Sequence, residues 1–258
     1  MNNPTRNRET GVQSVDRAIT VLEILARRGE AGVSEIAGEL DVHKSTAFRL
    51  LGALEERGLA EQIGDRGKYR LGFGLIPLAG RVSERLEVTQ QGRSVCEELA
   101  SRLGETVNIA IHDQGVAVNV DQARGPSTVT TFNWLGRITP LHSTASGKVL
   151  LAALDPADRA ELLTDLARTT PRTLVTPAKL AADLDDVTAL GYAWALEEYE
   201  VGLNAVAAPI RDHSGTVVAA LSVSGPAYRL PPDRVEEVTP DAVAAGEEIS
   251  RRMGHWIR

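Results

Sequence analysis

The sequence predicts an α+β protein of two domains, a small helical head finished by a basic hairpin and a larger domain in which helices precede, separate and follow alternating strands. Three observations carry that expectation. The 258 residues exceed what one hydrophobic core usually serves. Between Ser34 and Leu71 two helical patterns, a short break and a Gly-rich hairpin follow one another. Beyond Gly104 the apolar pattern changes from helical spacing to alternation.

Met1 to Thr10 is polar and unlike a secretory leader, so residues 1–10 are expected to be a disordered tail. Ser14 is placed to cap a first helix, along which Val15, Ala18, Ile19, Leu22, Leu25 and Ala26 recur at helical spacing until Arg27-Arg28-Gly29. Ser34 then caps a short helix with Ile36, Ala37 and Leu40 on its apolar face. Asp41-Val42-His43 leaves room only for a turn. From Lys44 to Arg57 the apolar set is Ala47, Leu50, Leu51 and Leu54, which puts Ser45, Phe48, Arg49 and Gly52 opposite. Leu59 to Gln62 and Tyr69 to Gly72 read as strands around Gly64-Asp65-Arg66-Gly67.

Two helices at a tight turn followed by a basic hairpin make a winged helix-turn-helix over residues 11–72. In such a head the second helix enters a major groove. Lys44, Ser45, Thr46 and Arg49 supply donors and small contacts near its start, with Ser34 on the preceding helix. Phe48 either packs on a thymine methyl or sugar, or fills a gap beside the wing. Arg66, Lys68 and Arg70 alternate along one strand face and are expected on phosphates. An ordinary solvated helical hairpin remains the alternative for the segment.

Net charge is −7, which argues against a nucleic-acid protein until the chain is divided. Residues 1–85 hold 13 Lys+Arg against 12 Asp+Glu, and the rest hold 15 against 23, so the acidity belongs to the second part. Affinity for DNA follows the phosphates neutralised on one face, and a dimer doubles them. No apolar run approaches the roughly 18 residues that span a bilayer, so a cytoplasmic location is expected. Cys96 is the only cysteine, which excludes an intramolecular disulfide.

Residues 73–88 are expected to form a linker helix despite Pro77, and residues 89–258 the second domain. Its first helix, Thr89 to Arg102, carries Val95, Leu99 and Leu103 on one side with Cys96 beside them as a small buried hydrophobe; thiol sensing is the alternative. Strands are expected at Val107 to His112, Val116 to Asp121, Thr128 to Phe132, Tyr192 to Leu196, Ala205 to Arg211 and Val217 to Ser224. Helices fall at Thr144 to Leu154, Pro156 to Leu166, Pro177 to Leu190 and Asp233 to Trp256, with Pro240 a candidate break. Neighbouring hairpins imply a mostly antiparallel sheet flanked by helices.

Pro140-Leu141-His142-Ser143 leads into a helix whose first turn is small or hydroxylated, leaving the N–H groups of Ala145 and Ser146 open to a carboxylate. Ser222 and Ser224, two apart on one strand, face the same side and can bond the same ligand. Alternatively Ser143 only caps the helix and the serines bond locally. Trp134 and Leu135, in the loop before the helix, are placed to wall such a pocket, with core packing the alternative for Trp134. The five histidines lack metal spacing, no phosphate loop or nucleophile elbow occurs, and Glu197-Glu198-Tyr199-Glu200 reads as a solvated loop. No enzyme, metal or cofactor is expected.

Several spaced motifs in fixed order resemble the IclR family of bacterial transcriptional regulators. They are Ser14-Val15-Asp16-Arg17-Ala18, the run Lys44 to Leu51, Tyr69-Arg70-Leu71-Gly72, Ser143-Thr144-Ala145-Ser146-Gly147-Lys148, Glu197-Glu198 before Gly202, and the strand Ala219 to Pro226. The resemblance runs from Gly11 almost to the C-terminus. It implies a homodimer or a dimer of dimers, winged heads on palindromic double-stranded operator DNA, and a GAF-like C-terminal domain binding a small organic acid effector. It implies no enzymatic activity and leaves repression or activation open. It places effector contacts at Ala145, Ser146, Ala195, Ala205, Ser222 and Ser224. An acidic residue is frequent in the family at the first of the two sheet alanines and a cysteine at the second. Ala195 and Ala205 therefore imply a roomier, more apolar pocket, suited to an aromatic or longer-chain acid.

Overall fold

The computed structural model describes residues 13–64, 67–78, 87–126, 133–164 and 166–255. The chain divides into two compact units, Met1–Ser83 and Glu84–Arg258.

In the first unit, α1 (Gln13–Arg28), β1 (Ala31–Gly32), α2 (Val33–Glu39) and α3 (Lys44–Glu56) precede a hairpin of β2 (Ala60–Ile63) and β3 (Lys68–Leu71). The three strands form an antiparallel sheet in the order β1-β3-β2. Val21, Ile24, Leu25, Ile36, Ala37, Ala47, Leu51, Leu54 and Tyr69 make one apolar core. On α1 the buried stripe is Val21, Ile24 and Leu25, whereas Val15 and Ile19 lie exposed. The expected apolar stripe of Val15, Ala18, Ile19, Leu22, Leu25 and Ala26 leaves out Val21 and Ile24, and of its members only Leu25 is fully buried, because packing against the rest of the head selects a different line of the helix. Ser34 does not cap α2. Gly32 holds that place, with its N–H donating to the Glu35 carboxylate at 2.7 Å, and Ser34 sits exposed inside the first turn. Asp41 adopts a left-handed φ of 49°, and Val42 N–H donates to Ala37 O at 3.0 Å, which makes the turn between α2 and α3 tight.

The second unit comprises α4 (Glu87–Leu103), β4 (Thr106–Asp113), β5 (Val116–Ala123), β6 (Ile138–Pro140), α5 (Ala145–Ala152), α6 (Pro156–Leu162), α7 (Pro177–Leu190), β7 (Ala193–Leu196), β8 (Leu203–Arg211), β9 (Val217–Pro226) and α8 (Pro232–Arg252). Its six strands pair antiparallel in the order β6-β5-β4-β9-β8-β7. On one face Val107, Ile109, Val206, Ile210, Leu221 and Val223 pack against α4 and α8. On the other, Ala110, Ala117, Ala193, Ala195, Ala207 and Ala220 face α5 and α7. Strand alternation thus sorts large apolar side chains to one side and small ones to the other. The small side lets α5 approach closely.

Helix α8 runs unbroken through Pro240. Proline removes one backbone bond, and the buried row Val235, Val238, Ala242, Ala245 and Ile249 holds the rest against the sheet. Residues 75–78 are helical. The remaining expected linker positions 79–86, the tail 1–10 and the strand expected at 128–132 lie outside the described residues.

Candidate functional site: a groove-reading face and a ligand cavity

Helix α3 presents two chemically distinct faces. Ala47, Leu51 and Leu54 are buried in the head, while Lys44, Ser45, Phe48 and Arg49 are exposed and Thr46 is half-buried. Phe48, 59 % exposed, fills no gap in its own domain. The exposed set is what a recognition helix offers to base edges and phosphates.

On the wing, Lys68 and Arg70 stand on the exposed side of β3 and Tyr69 between them is buried. Lys68 pairs with Glu30 and Arg70 with Glu61. Both are exposed ion pairs and therefore weak and salt-sensitive. Arg66 lies outside the described residues.

In the second unit the structure brings Ala145, Ser146, Ala195, Ala205, Ser222 and Ser224 to one cavity of about 50 Å³. Register explains the gathering. Ala195 pairs with Ala205 and Ala205 with Ser224, while Ser222 lies opposite Ala207 on one side and Asn108 on the other. Helix α5 closes the opposite wall with its first turn. Thr144 is its N-cap, accepting Gly147 N–H at 3.1 Å on Oγ1 and donating to Pro140 O at 3.0 Å. The cap residue is thus Thr144 rather than Ser143. The first-turn N–H groups of Ala145 and Ser146 have no intrahelical acceptor, so a carboxylate is favoured there by both donors and helix dipole.

Trp134 also lines the cavity, 6.1 Å from the Tyr199 ring centroid, with the Arg137 guanidinium 5.5 Å from its own. Leu135 does not line it and is 53 % exposed, because the chain turns outward there. Asn108, Asn119, Thr139, Thr144, Tyr199 and Leu203 complete the wall. Period-two alternation put Asn108 on the face of Ala110, which was a usable signal. Asn119 stands two residues from Ala117 on β5 and opposite Ala110, so the same alternation places it on the cavity face.

Glu198 departs from the solvated loop the sequence suggested. Its side chain is only 12 % exposed and hydrogen-bonds the buried Lys148 ammonium at 3.0 Å. Burial pushes its carboxyl above the ordinary range, against the opposing pull of Lys148. The carbonyls of Glu197 and Glu198 accept hydroxyls of Thr170, Thr169 and Thr173 at 2.7, 2.9 and 2.8 Å, which ties down the loop that carries Tyr199. Cys96 is buried, and its thiol is pushed up to about 12. No helix among the described residues is long and apolar enough to cross a membrane.

Residues 14–64 match the IclR helix-turn-helix domain, and residues 80–251 match the bacterial transcriptional regulator IclR C-terminal domain. The HTH-type transcriptional repressor AllR of Klebsiella pneumoniae is 37% identical over 229 residues, which is 88% of this chain and 84% of the relative. The crystal structure of Thermotoga maritima IclR shares 31% identity at a TM-score of 0.77, over 95% of this chain and 100% of that one. An IclR homologue of Microbacterium hydrocarbonoxydans, solved in complex with 4-hydroxybenzoate, shares 28% identity at a TM-score of 0.81, over 93% of this chain and 98% of that one. The chain belongs to the IclR family of bacterial transcriptional regulators, a non-enzymatic class.

Proposed function

We propose that this regulator binds double-stranded operator DNA through α3 and its wing, and that a small organic acid at the start of α5 modulates that binding. The observation that carries the reading is the cavity itself, where six residues named from the sequence meet around unpaired helix-start donors. Ala145 and Ser146 hold the carboxylate, Ser222 and Ser224 bond the ligand from the sheet, and Ala195 and Ala205 form an apolar floor. That floor suits an aromatic or longer-chain acid, and the 4-hydroxybenzoate bound by the Microbacterium homologue supports the same class. Lys44, Ser45, Thr46, Phe48 and Arg49 enter the groove, while Ser34, Arg66, Lys68 and Arg70 contact the backbone. Residues 11–72 form the DNA-binding head, 73–88 the linker and 89–258 the effector and oligomerisation domain.

Effector binding shifts the population of operator-competent states, so acid and operator affect each other's affinity reciprocally. The protein acts in the cytoplasm as a homodimer or dimer of dimers on a palindrome. The repressor names of its AllR relatives support repression as the sign. The test is fluorescence anisotropy on DNA from upstream of its own gene. Arg49→Ala is expected to cost about 1–3 kcal/mol of operator affinity, and aromatic acids to change wild-type affinity. Unchanged binding by the variant removes Arg49 from the groove, and indifference to every acid removes the effector role.

A further inference from the structure

Two buried oxygens in the cavity wall have no hydrogen-bond partner among the described residues, Asn108 Oδ1 and Thr139 Oγ1. Their residues are 3 % and 2 % exposed. Both stand on the sheet side, on β4 and β6, across from the α5 start that takes a carboxylate. The Asn108 Nδ2 is turned to Ser224 Oγ at 3.4 Å, so its carbonyl oxygen is the group left over. A carbonyl oxygen only accepts, and a buried acceptor without a donor is costly enough that such groups are nearly always paired. We infer that the effector carries a hydrogen-bond donor beyond its carboxylate, a hydroxyl or an amide N–H, and that Asn108 with Thr139 reads it. The inference rests on the effector-site reading above and narrows its ligand to hydroxy or amido acids.

The recognition is selective for a physical reason. An unsubstituted acid of the same skeleton leaves both oxygens unpaired, and an ether in place of the hydroxyl sets its lone pairs against the Asn108 carbonyl oxygen, which only accepts. Sites built around a substrate hydroxyl reject analogues lacking it far more strongly than apolar pockets reject a methylene. Asn108 and Thr139 are then specificity-determining residues, while the α5 donors and the serines supply common affinity.

Calorimetric titration of the full-length protein with two matched trios tests this. One trio is 4-hydroxybenzoate, benzoate and 4-methoxybenzoate, and the other is 3-hydroxypropionate, propionate and 3-methoxypropionate. In the trio that enters the cavity, the hydroxy acid is expected to bind at least about tenfold more tightly than the methoxy acid. Thr139→Val and Asn108→Leu each reduce that ratio severalfold, and Thr139→Ser preserves it. The melting temperature of ligand-free Thr139→Val stays level or rises, since no native bond is removed. Equal binding of hydroxy and methoxy acids, abolished by the cavity-filling Ala205→Leu, leaves the effector site standing and overturns the donor reading. A hydroxy preference that survives both Thr139→Val and Asn108→Leu also overturns it. Failure of both trios to bind the wild type overturns the effector-site reading as well.

Discussion

Lys148 Nζ lies 3.0 Å from Glu198 Oε1 and 3.0 Å from Asp183 Oδ2, with the lysine side chain only 1 % exposed. The Glu198 contact is also a hydrogen bond, whereas the Asp183 oxygen is not aligned to accept one and contributes charge alone. Lys148 belongs to α5, whose first turn lines the cavity, and Glu198 precedes Tyr199, which lines it from the loop after β7. One buried ion pair thus joins two walls of the site.

Replacing Lys148 by Met leaves Glu198 buried without its cation, which costs about 3–5 kcal/mol at neutral pH. The cost depends on pH with a definite sign. Burial is the largest influence on the Glu198 carboxyl and raises its folded pKa; Lys148 pulls it down. A carboxyl raised on folding contributes stability below its unfolded pKa that is lost as pH climbs through the folded value. Without Lys148 the folded value rises further, so more stability is lost at neutral pH and little in acid. Urea midpoints of Lys148→Met and wild type should therefore converge from about pH 7.5 towards about pH 5. Parallel curves would show that Glu198 is not the group left unpaired.

Gly147 sits where no side chain fits. A Cβ there would lie 2.5 Å from Leu141 O and 2.6 Å from the capping Thr144 Oγ1. Backbone cannot yield as a flexible side chain does, so Gly147→Ala must displace the start of α5 at a cost of about 1–3 kcal/mol. Thermal melts report the stability loss. Acid titration should show weaker binding than the stability loss alone explains, because the first-turn donors move with the helix. Unaltered acid affinity would separate those donors from the ligand.

The exposed face of α3 was legible because a 3.6-residue period assigns every position to one side, and Ala47, Leu51 and Leu54 leave no ambiguity. Ser222 and Ser224 were legible for the analogous reason in a strand. What escaped depends on contacts distant in sequence. Thr139 belongs to a three-residue strand too short to show alternation. Glu198 reads as a loop carboxylate until a lysine fifty positions earlier is buried beside it. Ser34 is a good cap residue in the wrong place, since Gly32 with Glu35 satisfies the helix start first. On α1 the expected stripe is misplaced: Val15 and Ile19 stay exposed in the head, while Val21 and Ile24, which it leaves out, are buried.

The wing pairs give a prediction about DNA. Glu30 contacts Lys68, and Glu61 contacts Arg70, on the strand face proposed to meet phosphates. Each carboxylate opposes the polyanion and competes for its cation. Glu30→Gln and Glu61→Gln should each raise operator and non-specific DNA affinity severalfold at low salt, with the gain shrinking as salt rises. Stability should change by no more than about 0.5 kcal/mol, as expected for exposed pairs. Anisotropy titrations across a salt series measure both effects. Equal affinity of variant and wild type at every salt concentration would place this strand face away from the DNA.

Cys96 decides between a packing residue and a redox sensor. It is 1 % exposed among Val95, Leu99 and Ala100 on α4, and its thiol pKa is raised from 9.0 to about 12, chiefly by burial and secondarily by Asp121. The thiolate is the reactive species, so the native protein holds almost none near neutrality. A chromogenic disulfide reagent at about pH 8 should leave the folded protein unlabelled and react with one thiol per chain in denaturant. The same shift makes folding weaken as pH rises from 9 towards about 12, where the unfolded thiol ionises and the folded one does not. Replacing Cys96 by Ala should abolish that part of the alkaline loss and cost stability through lost packing alone. Labelling of the native protein as fast as the denatured chain would mean that α4 opens readily, and Cys96 would then be available as a sensor.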